Sequence, residues 1–235
     1  VNDFEALAWS LPTLPEGGLR RIGTHRPSRN ATMAVVGPGT GLGCAGLLRN
    51  ASGWHAIAGE GGHATLSART PFEREVLAAA AADGRHVSAE RLLSGLGLPL
   101  LHRAVARVRG DPAADQGPLT ALAITEQAAR DEADGAEDTL CRVVVDAFCE
   151  LLGGYAGNVA LVFGATGGVL VGGGVAARLA GPLDRGGFRS RFEDKGRFAD
   201  YLAPIGTALI LHDQPTLAGL SHALSTSLAA LPTQT

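Results

Sequence analysis

Three short stretches carry residue types that could do chemistry. The first, VNDF at residues 1–4, places Asn2 beside Asp3. Locally the pair reads as a helix cap, because short polar side chains accept from the free backbone N–H groups of a first turn. A carboxylate in that position could also take the proton from an attacking hydroxyl, a contribution on the order of 10²–10⁴-fold. The second stretch, AGEGGHATL, sets Glu60 and His63 three apart around a glycine pair, so both side chains can leave one turn in the same direction. A carboxylate accepts and an imidazole donates, which suits two neighbouring hydroxyls. A surface turn in which His63 merely packs explains the same residues, and a third ligand at metal spacing is missing. The third, VVGPGTGLG, surrounds Thr40 with Gly37, Gly39, Gly41 and Gly43. Without Cβ atoms, backbone N–H groups can converge on an anion, and the threonine hydroxyl adds a donor. A glycine-rich hairpin joining two strands is the plainer alternative.

Two further stretches are less specific. In HVSAERLLSG, Ser88 reads as a helix cap with Glu90 in the first turn, where negative charge is favourable. GGVLVGGGVAARL runs from a strand through Gly172, Gly173 and Gly174 into a helix. The G-x-G-x-x-G spacing of a dinucleotide turn is not met, and no acidic residue follows at ribose distance. Close approach of this backbone to an adenosine, or to another helix, accounts for the glycines.

The elements that must hold these residues follow from periodicity and punctuation. Residues 3–9 read as a helix, followed by a polar segment to Asn30 and three strands, ATMAVVG from Ala31, CAGLLR from Cys44 and WHAIAG from Trp54. Thr70 caps TPFEREVLAAAAADG, with Pro71 in the first turn and Gly84 as the stop. Helices continue through SAERLLSG, LLHRAVARVRG, ITEQAARDEA and EDTLCRVVVDAFCELLGGYAGNVALV. In the last, Leu140, Val144, Phe148, Leu151 and Tyr155 recur at helical spacing, so Cys141 and Cys149 read as core residues. GGVLVGGG is a buried strand, VAARLAG a short helix, GTALILH a strand and TLAGLSHALSTSLAAL the final helix. The order is βββαβαβα.

Composition narrows the function classes. With 46% hydrophobic residues, 235 residues suffice for a buried core. The formal charge of −3, without a Lys/Arg cluster interleaved with aromatics, excludes nucleic acid as the expected partner. Thirty-three glycines against seven Phe, two Trp and two Tyr fit a loop-rich α/β protein. Cys44, Cys141 and Cys149 are odd in number and widely spaced, which suits unliganded thiols in a reduced compartment. Residues 151–177 lack charge over a length that could cross a bilayer. Nine glycines interrupt that run, so a buried helix leading into a buried strand is expected, with no membrane.

In order, NDF, GPGTGLG, GEGGH, HVSAERLLSG, GGVLVGGGV and GFRSRFEDKGRF resemble the bacterial ATP-dependent glucokinases of the hexokinase superfamily. The resemblance covers nearly the whole chain. It implies an α/β, ribonuclease-H-like fold, one half of the actin-like ATPase plan, acting in the cytoplasm with ATP and Mg²⁺. It further implies that Asp3 is the general base at the glucose 6-hydroxyl, that Asn2 positions the sugar, and that Glu60, His63 and Glu90 bind its other hydroxyls. Gly39, Thr40 and Gly41 would form a phosphate loop, with Gly172, Gly173 and Gly174 against the adenosine. A homodimer is compatible with it. The zinc motif of ROK sugar kinases, C-x-C-G-x-x-G-C, does not occur, so that family is a poorer match. Neither does the family's D-x-G-G-T-x-x-R loop, whose acidic residue helps hold Mg²⁺. The expectation is a hinge segment at 1–30, a large domain at 31–212 and a C-terminal helix at 213–235 returning to a small domain that would precede Val1. The isolated chain is then expected to be inactive. A non-catalytic sugar-binding or regulatory protein of the same fold is the alternative, and polyphosphate is a rival phosphoryl donor.

Overall fold

The computed structural model describes residues 2–229, with side chains to residue 225. Its helices are α1 (Asp3–Ser10), α2 (Pro71–Ala80), α3 (Ala89–Leu92), α4 (Leu98–Arg109), α5 (Ala121–Ala133), α6 (Leu140–Phe163), α7 (Gly174–Arg178), α8 (Ala180–Arg185), α9 (Phe188–Glu193), α10 (Ala199–Leu202) and α11 (Pro215–Ala229). Its strands are β1 (Leu19–Ile22), β2 (Met33–Pro38), β3 (Leu42–Asn50), β4 (Gly53–Gly59), β5 (Gly168–Val171) and β6 (Thr207–Ile210). They form one sheet in the order β1-β6-β5-β2-β3-β4. β2, β3 and β4 make an antiparallel meander, whereas β5 runs parallel to β2 and β6 parallel to β5. Parallel neighbours need long crossovers, which the helical segments between them supply.

Both faces of the central strands are covered, so β2 and β5 are apolar throughout and side-chain alternation sorts their residues between two cores. Ala34, Val36, Val169 and Val171 face α6 and the larger cluster, with Phe148, Leu152, Phe188 and Phe192 at its centre. Met33, Val35 and Leu170 face α1, together with Leu7, Leu11 and Leu14. α6 starts on the Thr139 side chain, which accepts from Arg142 N, and stops at Gly164 in the left-handed region (φ 60°). This helix is long and apolar enough to cross a membrane, yet 72% of that apolar window is buried in the fold. The uncharged run is thus a core helix followed by a core strand. Cys44, Cys141 and Cys149 are buried free thiols.

β1 lies within the segment read from sequence as polar. It pairs antiparallel with β6, at the sheet edge, and its LRRI sequence is half charged because an edge strand keeps one side in water. The short helices α8, α9 and α10 were likewise not anticipated, being four to six residues long with too few turns to show a period. α11 packs across α1 so tightly that a Cβ on Gly219 would collide with the Ala6 carbonyl. The part of the final helix expected beyond Ala229 lies outside the described residues.

Candidate functional site at the β2–β3 hairpin

Asn2 is the N-cap of α1, its Oδ1 accepting from Glu5 N at 2.7 Å. The cap uses the amide oxygen and leaves the amide nitrogen as a donor. Asp3 opens the first turn, where the helix dipole favours a carboxylate. Phe4, the third residue of the motif, packs against Gly37 and Gly43. A Cβ at either glycine would overlap its ring, so these two glycines are a seat for Phe4 and hold Asp3 at the hairpin. That packing role had no local signal in the sequence, since the partners are more than thirty residues apart.

Glu90 reaches the same hairpin from α3. Its Oε2 accepts from Leu42 N at 2.9 Å, and Gly41 must lack a Cβ to admit that oxygen. Ser88 caps α3 through its hydroxyl, accepting from Arg91 N at 3.2 Å. The turn Gly61–His63 leans on the other side of Leu42, with Gly62 against the Leu42 carbonyl. Between these two elements run the bonds Leu66 N to Val87 O (3.0 Å) and Ala89 N to Ala64 O (2.9 Å), a short ladder that sets His63 against Glu90. His63 Nε2 stands 3.9 Å from Glu60 Oε2, and Nδ1 stands 3.7 Å from Glu90 Oε1. Both separations exceed a direct hydrogen bond, so the imidazole stands between two carboxylates at distances that a ligand hydroxyl can bridge. The Glu60 and His63 side chains are 83% and 61% exposed, which leaves them open to a ligand.

Two cavities flank the hairpin. One, of about 450 Å³, brings Asp3 together with Gly172, Gly173 and Gly174, and also with His212 and Asp213. The other, of about 470 Å³, is lined by Gly39, Thr40, Gly95, Leu96, Gly174 and Arg178. Gly174 belongs to both. Gly173 (φ 93°) presses its backbone on Pro38 and Gly39, and Gly95 N donates to Gly39 O at 2.8 Å. Gly39 and Gly174, by contrast, would present a Cβ to open space. Their lack of a side chain therefore serves no packing need and leaves the wall clear for a ligand. The sequence reading missed Asp213, Arg178, Gly95 and Leu96. Arg178 one turn beyond the triple glycine was a readable signal, whereas Asp213 reaches the site only through the sheet.

Asp3, the Glu60, His63 and Glu90 set, and both open glycines are thus gathered around one hairpin. A family profile described as glucokinase matches residues 1–227. The glucokinase of Aromatoleum aromaticum is 47% identical over 229 residues, covering 97% of this chain and 67% of that protein. That of Chromobacterium violaceum is 46% identical, covering 97% of this chain and 64% of the relative. Among solved structures, a glucokinase from an Antarctic psychrotroph superposes with a TM-score of 0.87 at 33% identity, covering 96% of this chain and 67% of the other. The chain therefore spans about two thirds of the length of these relatives. With the profile matching almost end to end and the six motifs in order, the chain belongs to the glucokinase family.

Proposed function

We propose that this chain carries the sugar-binding and nucleotide-facing surface of an enzyme that transfers the γ-phosphoryl group of ATP to the 6-hydroxyl of glucose. One observation carries the reading. The β2–β3 hairpin collects a carboxylate at a helix N-terminus, an imidazole between two carboxylates, and two glycines open to a cavity. Glu60, His63 and Glu90 hold the sugar hydroxyls, with the Asn2 amide as a further donor. Asp3 accepts the 6-hydroxyl proton as the oxygen attacks, which neutralises the carboxylate and leaves the attacking oxygen the electron pair that forms the new bond to phosphorus. Gly39, Thr40 and Gly41 receive phosphate oxygens, Arg178 adds positive charge on the same cavity, and the Gly172–Gly174 backbone borders the nucleoside. Phosphoryl transfer needs mainly position and charge stabilisation, and this wall supplies groups for both.

Mg²⁺, when bound with the nucleotide, neutralises phosphate charge. Asp213 fits its preference for hard oxygen donors and lines the Asp3 cavity. The test is calorimetric titration of glucose into the chain and into Glu60→Gln and Glu90→Gln. The expected result is saturable binding weakened by about tenfold in each variant, since each loses a charge-assisted bond. Unchanged binding in both variants would remove the assignment. Glucose binding retained in a full-length enzyme that never turns over would favour a non-catalytic sugar-binding protein instead.

A further inference from the structure

A third cavity lies at the C-terminal end of α1, away from the turn of the hairpin. Its volume is about 490 Å³, with an apolar floor whose solvent-facing part is half-buried Leu19 and Pro27 above buried Leu11, Met33 and Ala208, and a rim of Arg21, Arg26 and Arg29. It shares no lining residue with the two cavities flanking the hairpin. The eight residues of α1 separate its two ends by about 12 Å. Strand alternation places the arginines. Arg20 turns toward α8 and pairs with Asp184, so Arg21 emerges on the α1 face, where no ion-pair partner meets it among the described residues. Arg29 donates to the Leu14 carbonyl at 2.5 Å, which fixes the guanidinium while using one of its five N–H donors. Arg26 holds Glu16 Oε2 at 3.0 Å, with side chains 69% and 79% exposed, a pairing weak enough to exchange.

Charge on an edge strand deters pairing with other chains, which accounts for Arg20 and Arg21 by type. It does not account for Arg26 and Arg29 arriving from the following loop at one cavity in a chain whose net charge is −3. Three arginines less Glu16 leave a local charge of +2 (3 − 1) over an apolar floor. A phosphomonoester carries about −1.5 to −2 at neutral pH, and guanidinium forks match its oxygens. We propose that this cavity binds a small phosphomonoester. Its phosphate engages Arg21, Arg26 and Arg29, displaces the Glu16 carboxylate that now occupies Arg26, and sets the organic body on Leu19 and Pro27. The site is independent of the proposed phosphoryl transfer, since its occupant touches none of the residues assigned to that reaction.

The test is calorimetry on the whole chain at low ionic strength, titrating phenyl phosphate, inorganic phosphate and, separately, glucose. The ester is expected to bind saturably and at least about threefold tighter than inorganic phosphate, the difference coming from the apolar floor. Arg21→Glu should weaken ester binding by about tenfold or more, and Glu16→Gln should strengthen it by about threefold, with glucose binding unchanged in both. Glu16 is exposed, so its variant tests the site without risk to folding. Equal affinity for ester and inorganic phosphate would overturn the phosphomonoester in favour of free phosphate. No saturation by about 10 mM, a concentration at which even a contact of ~3 kcal/mol would register, or binding indifferent to both substitutions, would overturn the site itself.

Discussion

Asp3 and Gly41 show how little of a residue's work its type declares. Asp3 is an exposed first-turn carboxylate by its surroundings, and only the cavity it shares with Gly172–Gly174 aims it at a substrate. In a chimera where residues 1–235 replace the matching segment of the Aromatoleum aromaticum relative, Asp3→Asn is expected to lower kcat by about 10²-fold or more while leaving glucose binding within about threefold. A steady-state assay finding parental turnover would return Asp3 to its place as a first-turn charge. Gly41 is small because Glu90 needs the space. Gly41→Ala should push the Glu90 carboxylate off Leu42 N–H and weaken glucose binding by about tenfold, with a stability change under ~2 kcal/mol. Parental affinity in that variant would mean that Glu90 is not a ligand.

The segment GFRSRFEDKGRF illustrates the scale of elements. It resembles the family strongly yet lines neither cavity flanking the hairpin. Its role is to bind the fold together. Arg189 donates to the carbonyls of Ala203 and Ile205, both at 2.6 Å, and so ties α9 to the entry of β6. Arg191 donates to both carboxylate oxygens of Glu73 at 2.8 and 2.9 Å. Glu73 also closes the capping box of α2 with Thr70, so one carboxylate joins the start of α2 to α9. The pair is nearly dry, with side chains 12% and 2% exposed. Arg191→Ala would strand the Glu73 charge, at an expected cost of about 3–5 kcal/mol in denaturant unfolding, whereas the exposed Arg26→Ala should cost under ~1 kcal/mol. Equal costs would show that Glu73 finds other partners. Lys195 in the same segment donates to Gly154 O at 2.8 Å, and burial holds its pKa below the usual lysine range.

For the whole molecule, the hairpin site faces solvent, as the exposure of Glu60 and His63 records. Residues 1–235 by themselves are expected to bind glucose on the order of millimolar but to show no turnover with ATP and Mg²⁺, because water reaches the site and the γ-phosphate lacks opposing donors worth about 10²–10³-fold each. A coupled assay should detect activity only in the chimera; robust turnover by the chain alone would refute this. The fold also carries a pH signature. His102 is buried in α4, and desolvation pushes its pKa down from the usual histidine value. The unfolded chain therefore takes up that proton at higher pH than the folded one, and stability falls as pH drops from about 6.5 through the folded pKa. Asp146 and Glu150, raised by burial, act in the opposite sense, so the expected observable is the difference in Tm between the parent and His102→Gln. That difference should shift in favour of the variant on acidification, and a flat difference would contradict it. What was legible in the chain itself was whatever short-range spacing encodes: the Asn2 cap, the Thr70 and Ser88 caps, the turn carrying Glu60 and His63, the apolar strands and the period of α6. Four glycines around Thr40 looked alike there. Folding separated them, giving Gly37 and Gly43 to Phe4 and Gly41 to Glu90, and leaving Gly39 open to the cavity. The sequence also hid β1, whose charged residues suit only an edge, and the gathering of Arg21, Arg26 and Arg29 over Met33. Local spacing is fixed by the covalent chain, whereas contacts such as Glu90 with Leu42, 48 residues apart, exist only once burial of the core has drawn distant segments together.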